Sequence, residues 1–145
     1  ERLPDGRIAV ASSTGGTLKI FDVKDSPFCP ARQRSVTAMT LVGGHGLVWD
    51  ASRNSLFALG YTNLYELAYL PETMSVAVKR RWNFAKKAGD AFGHDLQPDG
   101  SGGFFFTNHT GVWRIDPETG TITLRCGVRN VKSLAVVLTL LLIPS

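Results

Sequence analysis

Three histidines, His45, His94 and His109, together with Tyr61 and Lys132, have the side-chain types needed to move a proton, hold a divalent metal or grip an anion. Neutral imidazole is a common metal ligand, so His45 and His94 could share a divalent ion. With Tyr61 as a partner, the same two histidines could act as base and acid at one cleft, provided their pKa values are tuned. The third chemistry is binding alone. His45, His94, Tyr61, Asn108, His109 and Lys132 would offer cationic, aromatic and amide groups to an anionic carbohydrate or another small ligand. Two of the histidines recur in one pattern: Gly44-His45-Gly46-Leu47-Val48-Trp49-Asp50 and Gly93-His94-Asp95-Leu96-Gln97-Pro98-Asp99 both read Gly-His-x-Leu-x-x-Asp and lie 49 residues apart.

The elements that must position these residues follow from what surrounds each copy. Behind each come an apolar run, a polar turn, a second strand-like stretch and the tripeptide Pro-Glu-Thr, at Pro71-Glu72-Thr73 and Pro117-Glu118-Thr119. A repeat of this length built from several short strands predicts a β-propeller blade. The expected fold is therefore all-β: a propeller fragment of about three four-stranded antiparallel blades. Residues 1–135 would form it, with blades at 1–42, 43–92 and 93–127 and the start of a fourth at 128–135. Residues 136–145 form an apolar tail that departs from the pattern.

Turn residues divide the units further. The first opens inside its inner strand at Pro4-Asp5-Gly6, continues through strands at 7–13 and 17–23, and reaches an outer strand at 36–42 after an irregular connection containing Pro27 and Pro30. The second has strands at 45–49, 55–60, 64–70 and 75–82, then a polar loop at 83–92. The third runs through 103–107, 112–116 and 121–126. The continuous apolar runs in the second strands suit sheets covered on both faces. A closed propeller takes about four to eight blades, so the chain reads as a fragment, a truncated frame or a protomer that must assemble.

In a four-stranded meander the connections alternate between the two ends of the sheet. The start of each first strand and each second-to-third turn thus lie at the same end. That places His45, His94 and the aligned Lys132 nearest the axis, with Tyr61, Asn108 and His109 beside them. The competing reading makes the motif a packing device, in which glycine permits close approach and histidine bonds a neighbouring blade.

Composition excludes several classes. The net charge of +4 is spread over small groups such as Arg32 and Arg34, Lys79 to Arg81 and Arg125 and Arg129, unlike the dense stripe of a nucleic-acid binder. Cys29 and Cys126 have no metal-site or disulfide-framework spacing. The apolar run at 134–143 is too short to span a membrane. Trp49, Trp82 and Trp113 fall in strands and are expected to pack between blades. Gly15-Gly16 and residues 100–103 lack the helix and Lys-Ser/Thr pair of a phosphate loop.

The elements Leu-Pro-Asp-Gly-x-Ile-Ala-Val-Ala-Ser-Ser-Thr-Gly-Gly (from Leu3), Gly-His-Gly-Leu-Val-Trp-Asp (from Gly44), Phe-Ala-Leu-Gly (from Phe57), Gly-His-Asp-Leu-Gln-Pro (from Gly93), Thr-Gly-Val-Trp-Arg-Ile-Asp (from Thr110) and Val-Lys-Ser-Leu (from Val131) resemble an uncharacterised family of bacterial and fungal propeller proteins. That family is grouped with the WD40-like and quinoprotein-like propellers. The resemblance implies a propeller fold and no particular activity; many members look secreted, which would suit an extracellular polymer as ligand. The function expected is a ligand-binding or protein-interaction scaffold using one rim. The alternative is a polysaccharide lyase-like enzyme using His45, His94 and Tyr61, metal-assisted or not.

Overall fold

The computed structural model describes residues 1–23, 34–88 and 91–136. Cys29, Pro27, Pro30 and Arg32, and all of the tail beyond residue 136, lie outside the described residues. The fold is all-β, in three antiparallel sheets. The first contains β1 (Ile8–Ser12), β2 (Thr17–Phe21) and β3 (Ser35–Thr40). The second contains β4 (Gly46–Asp50), β5 (Ser55–Leu59), β6 (Asn63–Leu70) and β7 (Ser75–Asn83). A four-residue helix, α1 (Ala85–Ala88), leads to the third, made of β8 (Asp95–Pro98), β9 (Phe104–Asn108), β10 (Gly111–Asp116) and β11 (Thr121–Cys126). Every sheet is a meander in which sequence neighbours pair, and none is closed.

The second sheet lies between the other two, and β5 explains why. All five of its residues are buried, and alternate side chains point to opposite faces. Leu56 and Ala58 join Ala9, Leu18 and Ile20 in the core shared with the first sheet. Phe57 and Leu59 join Leu96, Phe104 and Phe106 in the core shared with the third. A strand covered on both faces needs no polar alternation, which is why Leu56 to Leu59 is uniformly apolar. The tryptophans pack as expected, Trp49 against the first core and Trp82 and Trp113 against the second.

Two expectations change. The loop at 83–92 contains α1, which the polar residues on its surface conceal. Its first turn is capped by Asn83 Oδ1, which accepts from the Lys86 N–H at 3.3 Å, while Phe84 and Ala88 are buried in the second core. Residues 127–136 form no strand. β4 and β8 take their ladder bonds from β5 and β9, and no described strand is placed to do this for the 131–136 segment. It is held instead by single contacts, such as the Leu134 N–H donating to Asp95 Oδ2 at 2.8 Å. Among the described residues, no helix is long and apolar enough to cross a membrane.

Candidate functional site

The two motif copies occupy the same place in their sheets. His45 directly precedes β4, and its N–H donates to the Leu59 carbonyl at the end of β5 at 3.1 Å. His94 directly precedes β8, and its N–H donates to the Thr107 carbonyl of β9 at 2.9 Å. Both are preceded by a closely packed glycine, against backbone at Gly93 and against a leucine side chain at Gly44. A Cβ on Gly93 would lie 2.8 Å from the Gly60 carbonyl oxygen, and one on Gly44 would lie 2.7 Å from Leu41 Cδ2. Leu96 is buried in the second core and Leu47 packs against the first. The closing aspartates shape the next turn: Asp50 Oδ1 accepts from the N–H groups of Ser52 and Arg53, and Asp99 Oδ1 from those of Ser101 and Gly103. Glycine, leucine and aspartate therefore have packing and turn-forming work.

The histidine side chains do not share that work. His45 is exposed and makes no side-chain hydrogen bond among the described residues. Its ring meets His94 edge-on, with centroids 5.4 Å apart. His94 lies 5.3 Å from His109, and His109 stacks on Phe92 at 4.4 Å. Phe92 in turn meets Tyr61 at 4.3 Å. The result is one row of rings: His45, His94, His109, Phe92, Tyr61. Lys132 flanks the second ring of the row, its Nζ 2.9 Å from His94 Nε2. An ammonium can only donate, so Nε2 accepts and the His94 proton resides on Nδ1. Burial, then the charge of Lys132, then His45 and His109 hold the His94 pKa below its ordinary value. His94 is thus a neutral imidazole at neutral pH.

All six residues expected at this end are there, with one correction and one missed neighbour. Asn108 sits at the turn but is fully buried. Its Oδ1 accepts from the Thr110 N–H, the Thr110 hydroxyl, the Gly111 N–H and Trp113 Nε1, so it builds the turn that carries His109 and does not face a ligand. Tyr61 meets Phe92, which in turn stacks on His109. Phe92 was not anticipated, although it stands directly before the second Gly-His. It has a φ of 64°, a strained backbone conformation for a residue with a bulky side chain, and it is 38% exposed. Among the described residues, no three His, Cys, Asp or Glu side chains are placed to hold one metal ion. The lone pair on His94 Nε2 that would bind such an ion faces Lys132.

The opposite end of the sheets is a set of closed ion pairs. The Asp99 carboxylate, with its side chain 2% exposed, accepts from Arg114 Nε at 2.6 Å. Arg7 binds Asp5 and Asp22 and donates from Nη1 to the Pro71 carbonyl at 2.8 Å. Arg80 binds buried Glu66 and donates to the Pro117 carbonyl of the next sheet at 2.7 Å. The two Pro-Glu-Thr turns are therefore acceptors for arginines from a neighbouring sheet. Burial alone would raise the carboxyls of Asp99 and Glu66. Backbone N–H groups and Arg114 reverse this for Asp99, and Arg80, Lys79 and Ser55 reverse it for Glu66, so both lie below the usual carboxylate range.

No protein-family model matches this sequence, and neither does any curated protein.

Proposed function

We propose that the chain is a set of blades from a β-propeller, of the kind its motifs resemble, and that the rim carrying His45, His94, His109, Lys132 and Tyr61 binds a ligand bearing an anionic group. The observation that carries this reading is the Lys132–His94 contact with two further imidazoles packed against His94. Lys132 is exposed, and its ammonium is close to a group that can accept from it but cannot neutralise it. A carboxylate or sulfate placed there would meet the ammonium and imidazole N–H donors, in charge-assisted hydrogen bonds. A bound anion would also make protonation of His94 easier, strengthening its own binding as pH falls. An acidic polysaccharide, with its repeated carboxylates and sugar faces, suits both the donors and the aromatic row.

The test is calorimetric titration with uronic-acid oligosaccharides beside uncharged oligomers of equal length. The expected result is binding of the charged oligomer that weakens with salt and is lost in the double variant His94→Ala, Lys132→Ala. Equal binding by that variant and the parent protein would overturn the reading.

A lyase reading has one observation in its favour, the neutral His94 beside a cation. In such a step His94 Nε2, once released from Lys132, would take the proton α to the uronate carboxylate. The electron pair would form the carbon–carbon double bond and expel the glycosidic oxygen, which must receive a proton. Tyr61 is the acid expected from the sequence, yet two rings separate it from His94. Binding without chemistry is therefore the better-supported function. Ultraviolet absorbance of an unsaturated uronate product, abolished in His94→Ala, would reverse that preference.

A further inference from the structure

Beside the row of rings lies a second concavity. It has a volume of about 490 Å³ and opens between the end of β3 in the first sheet and the β5–β6 turn of the second. Its walls include Thr40, Val42, Tyr61, Thr62, Asn63 and Tyr65. Tyr61 belongs to both places, since its ring also meets Phe92. The groove is held in shape by backbone contacts: the Tyr61 N–H donates to the Val42 carbonyl at 2.8 Å, and the Gly60 N–H donates to the Asn63 carbonyl at 2.8 Å. Gly43, with a φ of 58°, lets the chain pass Tyr61 where a Cβ would sit 3.0 Å from the Tyr61 Cβ. Tyr65 packs part of its ring against the core, which fixes the side that faces the groove. Neither tyrosine hydroxyl makes a hydrogen bond among the described residues, and Asn63 commits only its Nδ2, to Thr62 Oγ1 at 2.7 Å.

Two rigid aromatic rings, free phenol oxygens, a threonine hydroxyl and an amide oxygen, with no charged side chain on the walls, suit an uncharged polyhydroxylated ring. An aromatic face packs on the apolar C–H face of a pyranose while hydroxyls and the amide bond its rim. We infer that this groove is a subsite for a neutral sugar residue, and that through Tyr61 it is continuous with the anion-binding row. The inference rests on the carbohydrate reading of that row and sharpens it. The preferred ligand would be a polymer in which charged and neutral sugars alternate, with a uronate at His94 and Lys132 and its neutral neighbour between Tyr61 and Tyr65.

The probes are three tetrasaccharides studied by calorimetry with the full chain: one alternating uronate with a neutral N-acetylhexosamine, one all-uronate and one uncharged. The alternating tetrasaccharide should bind about tenfold more tightly than the all-uronate one, a difference typical of one well-packed ring. Tyr65→Ala should erase that preference and leave all-uronate binding unchanged. Tyr65→Phe, which keeps the packed ring and loses only the hydroxyl, should lower the preference without altering the melting temperature, so a folding defect in the alanine variant would not obscure the result. The subsite is overturned if the preference is absent, or survives both Tyr65 variants. The row is tested separately by His94→Ala with Lys132→Ala. If that double variant still binds the alternating and uncharged tetrasaccharides as the parent does while Tyr65→Ala does not, the groove stands and the anionic row falls.

Discussion

The two ends of the sheets are built from the same turns and strands, yet they handle polar groups in opposite ways. At the aspartate end Asp5, Asp50, Asp99 and Glu66 have arginine partners, and Arg80 and Arg7 tie one sheet to the next. At the histidine end the polar side chains touch one another chiefly as rings, and burial and the charge of Lys132 both oppose protonation of His94. A satisfied network of buried charge gives rigidity and register but leaves no donor for a ligand. At the histidine end His45 is exposed with no side-chain hydrogen bond among the described residues, and the exposed Lys132 ammonium faces an uncharged acceptor on His94. One repeat motif thus joins an end of paired charges to the end proposed to bind a ligand: its glycine, leucine and aspartate pack and turn the chain, while the His45 side chain makes no hydrogen bond among the described residues.

The difference can be broken most forcefully at Arg80. Its replacement by alanine would leave buried Glu66 with Lys79 and Ser55 only and remove the bond to Pro117, at a cost of about 3 kcal/mol in chemical denaturation. Gly93→Ala should follow at about 2 kcal/mol, because its Cβ would press on the Gly60 carbonyl and Leu59. Its neighbour in the motif should behave otherwise: His94→Ala is expected to cost under about 1 kcal/mol. A loss for His94→Ala as large as for Gly93→Ala would mean that histidine is a packing residue after all.

Acid should reveal the two ends in separate pH ranges. Folding lowers the His94 pKa from its ordinary 6.5, so on acidification the unfolded chain binds that proton first. The contribution is complete above pH 6.5 and is lost as pH falls through the folded-state pKa. Asp99 and Glu66 are lowered from 3.8 and 4.5, so the stability they contribute is lost only in more acidic solution. Denaturation curves across pH should show both ranges in the parent protein and only the second in His94→Gln. The smallest effect is expected from Lys132→Met, which removes the cation facing His94. The His94 pKa, followed by NMR titration, should then rise toward its ordinary value with stability almost unchanged.

The strands were largely legible because their boundaries are written in local chemistry. Pro4-Asp5-Gly6, Ala51 to Asn54 and Pro71 to Met74 can hardly be anything but turns, and the run from Leu56 to Leu59 announces a strand covered on both faces. The shared place of His45 and His94 was legible too, since equal spacing through the same number of strands returns the chain to the same end. Asn108 was misread because the sequence marks a turn residue without saying which way its amide points. The arginine ties were not foreseen at all. Arg80 and Pro117 lie in different sheets and stand far apart in the chain, so no local pattern joins them.

By itself, then, the sequence determined an all-β chain of short antiparallel strands, the turns between them and the end at which its histidines gather, because each depends on residue type and on counting along a meander. Only the tertiary structure decided which polar groups are already satisfied. That depends on where sheets meet: it buried Asn108, brought Phe92 between Tyr61 and His109, set Lys132 against His94 and opened the groove between β3 and the β5–β6 turn. Contacts between sheets are fixed by packing over long stretches of chain, and hydrogen-bond capacity left over after packing is what a ligand can use.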